Sequence, residues 1–279
     1  MGRLWNPSRR LSISAYFTPT LRAILIGTGA VFVLQIIFYW SLGAEKYRSI
    51  LALFALSVSG VFGRLRVWQL VSYAALHAIE SPFHILGNMF LLWMFGRHVE
   101  EFIGPRRFLK LYLFSAVFAA ILCLIFYGTY GFWRPNEWTT PIIGASGAVC
   151  AVMAAFATLF PEQIILVFFV LPMKIKHAVF LFAALEALVT LSGTASGIAT
   201  IAHLAGFGFG FVFIRYGRQV REQLGRGLLR VRARRLNRQD ALQERLDGIL
   251  AKVAHNGLQS LSWRERRFLK KASRKLRQR

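Results

Sequence analysis

The sequence predicts an all-α, polytopic membrane protein: a six-transmembrane-helix bundle with a short, recessed fourth helix and a small helical cytoplasmic tail. Three observations carry that prediction. Hydrophobic residues make up 56% of the 279 positions and charged ones only 17%, with a mean hydropathy of +0.48. That is too apolar for a soluble domain of this length. The apolar residues fall in runs cut at intervals by Pro, Gly and Arg. Finally, 20 of the 35 Lys and Arg residues lie between Arg215 and Arg279. This placement makes the formal net charge of +23 a membrane-topology signal rather than a nucleic-acid signature, and no nucleic acid is expected as a partner. Cys123 and Cys150 both sit inside apolar runs, so no disulfide framework is implied.

Residues 1–21 read as a polar, basic cytoplasmic segment, 22–216 as the membrane domain and 217–279 as a basic cytoplasmic tail. Arg22 opens an apolar run from Ala23 to Leu42, about 20 residues and enough to span a bilayer. It exceeds a signal-peptide core and no A-x-A-like cleavage site follows it, which predicts an uncleaved first helix. The run from Ile50 to Gly63 is about 14 residues, a length suited to an interfacial or re-entrant segment. Ser81-Pro82 supplies an N-cap and a first-turn proline for a second helix reaching about Glu101. His84 and Asn88, four apart, share one face near its start. Gly104-Pro105 breaks the chain before a third helix from about Phe108 to Tyr127. The Gly-, Pro- and Trp-containing stretch from Gly128 to Ile143 is not helical in pattern.

The fourth helix runs from Ser146 to Phe160, before Pro161. Its 15 or so residues reach about 22 Å, short of a hydrocarbon core of about 30 Å. The helix should therefore begin part-way into the bilayer. Gly144-Ala145 would then be irregular backbone, tolerated there only against protein or a wet cavity. A fifth helix is expected from about Ile175 to Leu191 and a sixth from about Ala199 to Tyr216. His203 shares a face of the sixth with Gly206 and Gly210, and small residues at that spacing let two helix backbones meet. Its expected partner is the fourth helix, which starts with Gly144, Ala145, Ser146 and Gly147. In the tail, two short helices are expected from about residue 240. Leu242, Leu246, Ile249, Leu250 and Val253 recur at helical spacing, His255-Asn256-Gly257 reads as a stop, and Ser262-Trp263-Arg264-Glu265 as a capping box.

Six spans put both termini on one side, and the positive-inside rule makes that side the cytoplasm. About 30 of the 35 basic residues then lie on it; Lys46, Arg48, Arg64 and Arg66 in the first outer loop run against the trend. The second, fourth and sixth helices all enter from the outer side. His84, Asn88, Ser146 and His203 then lie at similar depth. A serine hydroxyl needs a base within hydrogen-bond reach, and an imidazole can take its proton and return it to a leaving amine. Asn88, His84 and the Ser146 backbone N–H at a positive helix N-terminus can receive an oxyanion. Glu186 in the fifth helix is the only intramembrane carboxylate that is a candidate for orienting His203. With no obvious place for it, the reading is a dyad of nucleophile Ser146 and general base and acid His203. Gly144, Gly147, Gly206 and Gly210 give helix-packing support.

Taken singly, each of these polar residues is better explained by helix packing or local hydrogen bonding; the joint pattern favours chemistry. His77 and Glu80 read as solvated outer-loop positions, and His98 and His177 as helix ends. His77-Ala78-Ile79-Glu80 does not make an H-E-x-x-H zinc helix, so no metal or other cofactor is implied. A transporter is disfavoured because neither internal repeats nor paired intramembrane acids are visible.

These residues resemble the rhomboid intramembrane serine proteases. Gly144-Ala145-Ser146-Gly147 is similar to that family's G-x-S-G motif, Ala202-His203-Leu204-Ala205-Gly206 with Gly210 to its A-H-x-x-G-x-x-x-G helix, and His84 to Asn88 to its H-x-x-x-N element. The resemblance covers about Trp68 to Ile214. It implies an endopeptidase that cleaves membrane-protein substrates in or near their transmembrane segments. The alternative is an inactive rhomboid-like protein that binds client transmembrane helices; such proteins usually lack the serine or the histidine, and both are present here. Two departures stand out: Trp68-Gln69 where the family often has Trp-Arg, and Cys150 where some members place a tyrosine that stacks on the histidine. The tail resembles a small extension of some bacterial members and would lie near anionic lipid headgroups. A six-span plan with no targeting segment fits a bacterial inner membrane.

Overall fold

The computed structural model describes residues 17–130, 138–167, 170–191 and 198–277. The chain divides into two compact units, Met1–Gly217 and Arg218–Arg279. The described helices are α1 (Pro19–Leu42), α2 (Ala44–Phe54), α3 (Gln69–Ser72), α4 (Pro82–Ile103), α5 (Pro105–Tyr130), α6 (Ser146–Leu159), α7 (Ile175–Leu191), α8 (Ile198–Asn256) and α9 (Trp263–Arg277). A two-stranded antiparallel hairpin, β1 (Ile164–Val167) and β2 (Leu171–Lys174), joins α6 to α7 and was not foreseen. Glu162 beside it pairs with Lys174 at 2.7 Å and with Lys176.

α6 is the centre of the first unit. Ten of its fourteen residues are buried, most of them small, and Phe156 meets Phe95 of α4 at 5.1 Å between ring centroids. A helix that is apolar all round belongs in an interior. α1 is its opposite. It buries only Leu21, Thr28 and Gln35, each seven residues from the last. Ile26, Val33, Leu34, Phe38 and Trp40 face outward, as a helix against lipid would arrange them. Among the described residues, two helices, Pro19–Leu42 and Pro105–Thr129, are long and apolar enough to cross a membrane by length and composition.

Two buried polar side chains, Glu100 and Gln35, tie α1 to distant segments. Glu100 of α4 is buried and receives the N-terminus of α1: Thr18 Oγ1 donates to it at 2.5 Å, Thr20 N at 2.9 Å and Leu21 N at 2.7 Å. The two backbone N–H groups are among the donors that every helix start leaves unpaired, and a carboxylate also complements the positive end of the helix dipole. Further along α1, Gln35 Nε2 donates to Tyr47 Oη at 2.9 Å and to His77 O at 3.0 Å, while Gln35 Oε1 accepts from His77 N at 3.1 Å.

The Ile50–Gly63 stretch splits into the end of α2 and a single π-helical turn, Ser59–Gly63. Gln69 anchors it. It is fully buried, donates through Nε2 to Ala52 O at 3.0 Å and accepts at Oε1 from Ser57 N at 3.3 Å. Trp68 Nε1 adds a bond to Leu53 O at 2.8 Å.

Helix ends differ from the sequence reading in three places. Ser81 makes no side-chain cap bond to α4, so Pro82 alone marks that start. Pro105 begins α5 instead of breaking the chain, because Gly104, at φ 84°, makes the turn. The sixth helix does not stop near Tyr216 but continues as α8 to Asn256, with no new start near residue 240. Its Arg, Gln, Leu and Ala content is helix-forming. Gly257, at φ 75°, then ends it. The capping box before α9 is present: Ser262 N and Oγ both donate to Glu265 Oε2 at 2.7 Å. That bonding, with Lys252 nearby, holds the Glu265 carboxyl down at about 2.

Removing the acceptor at the start of α1 leaves buried donors unpaired. Glu100→Ala is expected to cost about 2–4 kcal/mol of unfolding free energy. Glu101→Ala, which loses only an exposed pair with Arg97, should cost under about 0.5 kcal/mol. Denaturant unfolding in detergent micelles compares the two.

Candidate active site

Ser146 is the first residue of α6, and the backbone before it is fixed from two sides. Gly144 N donates to Tyr73 O at 3.0 Å, and the buried Tyr73 donates through Oη to Ala116 O of α5 at 2.8 Å. Ile142 and Leu56 exchange backbone bonds at 2.8 and 3.0 Å. Gly144 adopts φ +124°, a conformation side chains rarely take, and a Cβ there would lie 2.9 Å from His84 Nε2. The turn therefore needs glycine twice over, for its backbone and for the imidazole beside it.

His84 and Asn88 stand one turn apart on α4. His84 Nδ1 accepts from Ala78 N at 3.5 Å, which leaves the proton of a neutral ring on Nε2, the nitrogen turned to Gly144. Asn88 is buried and donates through Nδ2 to His84 O at 2.9 Å, keeping its second amide hydrogen. His77 corrects the sequence reading. It is not a solvated loop residue but fully buried, with its ring centroid 5.0 Å from that of His84. Burial first, and then the neighbouring His84, push its pKa down to about 4. Glu80 is exposed, as is His98, whose Nδ1 is 3.1 Å from Met94 O.

His203 arrives on α8 by close backbone contact. A Cβ on Gly206 would fall 2.0 Å from Gly147 O, and one on Gly210 would fall 2.1 Å from Ala151 O. Nothing larger than hydrogen fits at either place, so α8 lies directly on α6. His203 Nδ1 is 3.1 Å from Glu186 Oε1 of α7. The pair is close in distance but lies off the N–H direction. Phe182, one turn before Glu186, sets its ring 6.4 Å from the imidazole.

The result is one open cavity of about 520 Å³, with Ser146, His203, His84 and Asn88 all on its wall. Gly144, Cys150 and Phe182 line it as well. His98 and His177 do not line it. Among the described residues, no group of three or more His, Cys, Asp or Glu side chains could hold a metal ion. The sequence named Glu186 without a place for it and did not single out Phe182. Their spacing of four on an apolar helix was the available signal.

The sequence model of the Rhomboid domain matches residues 64–219. The presenilin-associated rhomboid-like protein, mitochondrial, of Bos taurus is 34% identical over 152 residues, covering 50% of this chain and 36% of that protein. Rhomboid protein 1, mitochondrial, of Saccharomyces cerevisiae is 32% identical over 93 residues, 32% of this chain and 25% of that one. RHOMBOID-like protein 12, mitochondrial, of Arabidopsis thaliana is 30% identical over 131 residues, 44% and 39% respectively. The chain thus spans between 25% and 39% of the length of these curated relatives. Their mitochondrial designations overturn the expectation of a bacterial inner membrane. Hydropathy and charge asymmetry report that helices meet a bilayer, and are blind to which bilayer it is.

The buried His77 predicts a pH dependence. With a folded pKa near 4 against an ordinary 6.5, the folded protein binds this proton more weakly than the unfolded chain does. Its effect is absent above about pH 6.5 and destabilises progressively as pH falls towards 4. His77→Gln should flatten that part of the stability profile, read as the unfolding midpoint between pH 7.5 and 4.

Proposed function

The chain belongs to the rhomboid family, and we propose that it acts there as an intramembrane serine endopeptidase, cutting membrane-protein substrates in or near a transmembrane segment. The observation that carries this reading is the convergence of Ser146, His203, His84 and Asn88 on one cavity from three helices.

In the proposed reaction Ser146 Oγ attacks the scissile carbonyl carbon while His203 takes its proton. The carbonyl oxygen becomes an oxyanion, received by the Ser146 backbone N–H at the start of α6 and by His84 Nε2–H and Asn88 Nδ2–H. His203 returns the proton to the leaving amine, an acyl-enzyme remains, and water attacks it by the same route in reverse. No cofactor enters these steps.

The six-span plan belongs to the same proposal. α1, α4, α5, α6, α7 and the opening part of α8 would cross or enter the bilayer. The fourteen residues of α6 extend about 21 Å, so this helix would start below the surface. Water could then reach Ser146 through the open cavity, which hydrolysis requires. The basic tail from about residue 217 would sit near anionic headgroups, where its lysines and arginines gain most.

Ser146→Ala and His203→Ala should each abolish cleavage of a model single-span substrate in proteoliposomes while the protein still inserts. Asn88→Ala should lower kcat on the order of 10²-fold, the usual effect of losing one oxyanion donor. A serine-reactive fluorophosphonate should label the wild type and not Ser146→Ala. Cleavage that persists in both Ser146→Ala and His203→Ala would sink the protease reading. Substrate binding by a wild type that neither cleaves nor reacts with the probe would favour client-helix binding.

A further inference from the structure

We infer that Glu186 is a positioning residue for His203, so that the site operates with a third member supplied by α7 and not as a two-residue dyad; this rests on the protease reading above. The carboxylate oxygen Oε1 lies 3.1 Å from Nδ1, and the two side chains are only 21% and 15% exposed. An ionisable group on an apolar helix is costly unless it has a partner, and where it occurs it marks a working site. Here the imidazole is such a partner.

The chemistry follows from what each atom can do. A carboxylate only accepts, so the nitrogen facing it must carry the hydrogen, and the lone pair of the neutral ring is placed on Nε2. Nε2 is then the atom that can take the Ser146 proton. When it does, Nδ1 keeps its hydrogen, Glu186 keeps its negative charge, and the imidazolium forms beside a carboxylate in a partly shielded cavity. Nothing is transferred to Glu186. The misalignment of the resting pair fits a contact that tightens only as the ring acquires charge. Among the described residues no carboxylate lines the cavity itself, and Glu186 reaches the imidazole from outside its wall.

Phe182 completes the arrangement from the same face of α7. Its ring is tilted 38° to the imidazole at 6.4 Å and also meets Phe207 of α8 at 5.9 Å. Position 150 of α6 holds a small cysteine whose Cβ lies 3.1 Å from where a Gly206 Cβ would be. The side chains that hold the imidazole thus come from α7 and not from α6.

The test uses the full-length protein in proteoliposomes with a single-span substrate. Glu186→Gln keeps the shape, removes the charge and can offer an N–H to Nδ1, favouring the wrong tautomer. It should lower kcat by about 10²-fold with KM within about twofold. Fluorophosphonate labelling of Ser146 should slow in the same proportion, with the unfolding midpoint unchanged. Glu186→Asp should recover part of the loss. Cleavage and labelling by Glu186→Gln within twofold of wild type would overturn the inference. So would a lowered midpoint with activity no better in Glu186→Asp, the pattern of a helix-packing tie. A wild type that neither cleaves nor labels refutes the protease reading itself, and so is told apart from failure of this inference alone.

Discussion

The site depends on the contact of two helix backbones without intervening side chains. Gly206 faces Gly147 O and Gly210 faces Ala151 O so closely that a methyl group at either would collide with a carbonyl. In lipid there is little hydrophobic force to bring helices together, so close packing of small residues has to do it. That contact sets the distance between the start of α6 and the turn of α8 carrying His203. It also explains why α6 is rich in alanine: it is met by α4, α5, α7 and α8 at once, and bulk on any face would push one of them away.

A second constraint follows from the first. If α6 begins below the membrane surface, the chain that leads into it cannot leave backbone groups unpaired. The structure meets that demand with bonds from distant segments: Gly144 to Tyr73, Ile142 to Leu56, Tyr73 to Ala116. Gln69 does the same for the segment between α2 and α3. The His77 backbone is held by Gln35, and Glu100 closes the start of α1. None of these partners is near its mate in sequence. They are a polar frame around an apolar bundle, and the frame holds the turn at Gly144 against His84.

That separation in sequence decides what could be read in advance. Helix existence and most helix starts were legible, because apolar run length, Pro82 and the Gly144–Gly147 cluster are local signals. The placing of Ser146, His203, His84 and Asn88 on one cavity wall was also legible, since the expected six-span plan put the starts of their helices on one side. Gln69 and Glu100 were not, because a buried polar side chain looks like any exposed one until its partner is known. His77 was misread for that reason. The length of α8 was missed because a basic run was taken for a boundary, whereas arginine is a good helix former. The hairpin between α6 and α7 has strands of four residues each, too short to stand out from the apolar runs on either side.

The departure from the family pattern at position 150 follows from the same geometry. A large aromatic at position 150 would stand where α8 comes nearest to α6, since Cys150 Cβ is already 3.1 Å from the place of a Gly206 Cβ. With a small residue there, α8 can sit closer, and the space over His203 is left to be filled from the other side. Phe182 and Glu186, one turn apart, fill it with a ring and a charge. A stacked tyrosine can restrict the plane of an imidazole but cannot choose which nitrogen carries the proton. A carboxylate at Nδ1 can do both. The exchange of an aromatic on α6 for a face of α7 therefore changes which helix meets the His203 ring and adds a carboxylate to that contact.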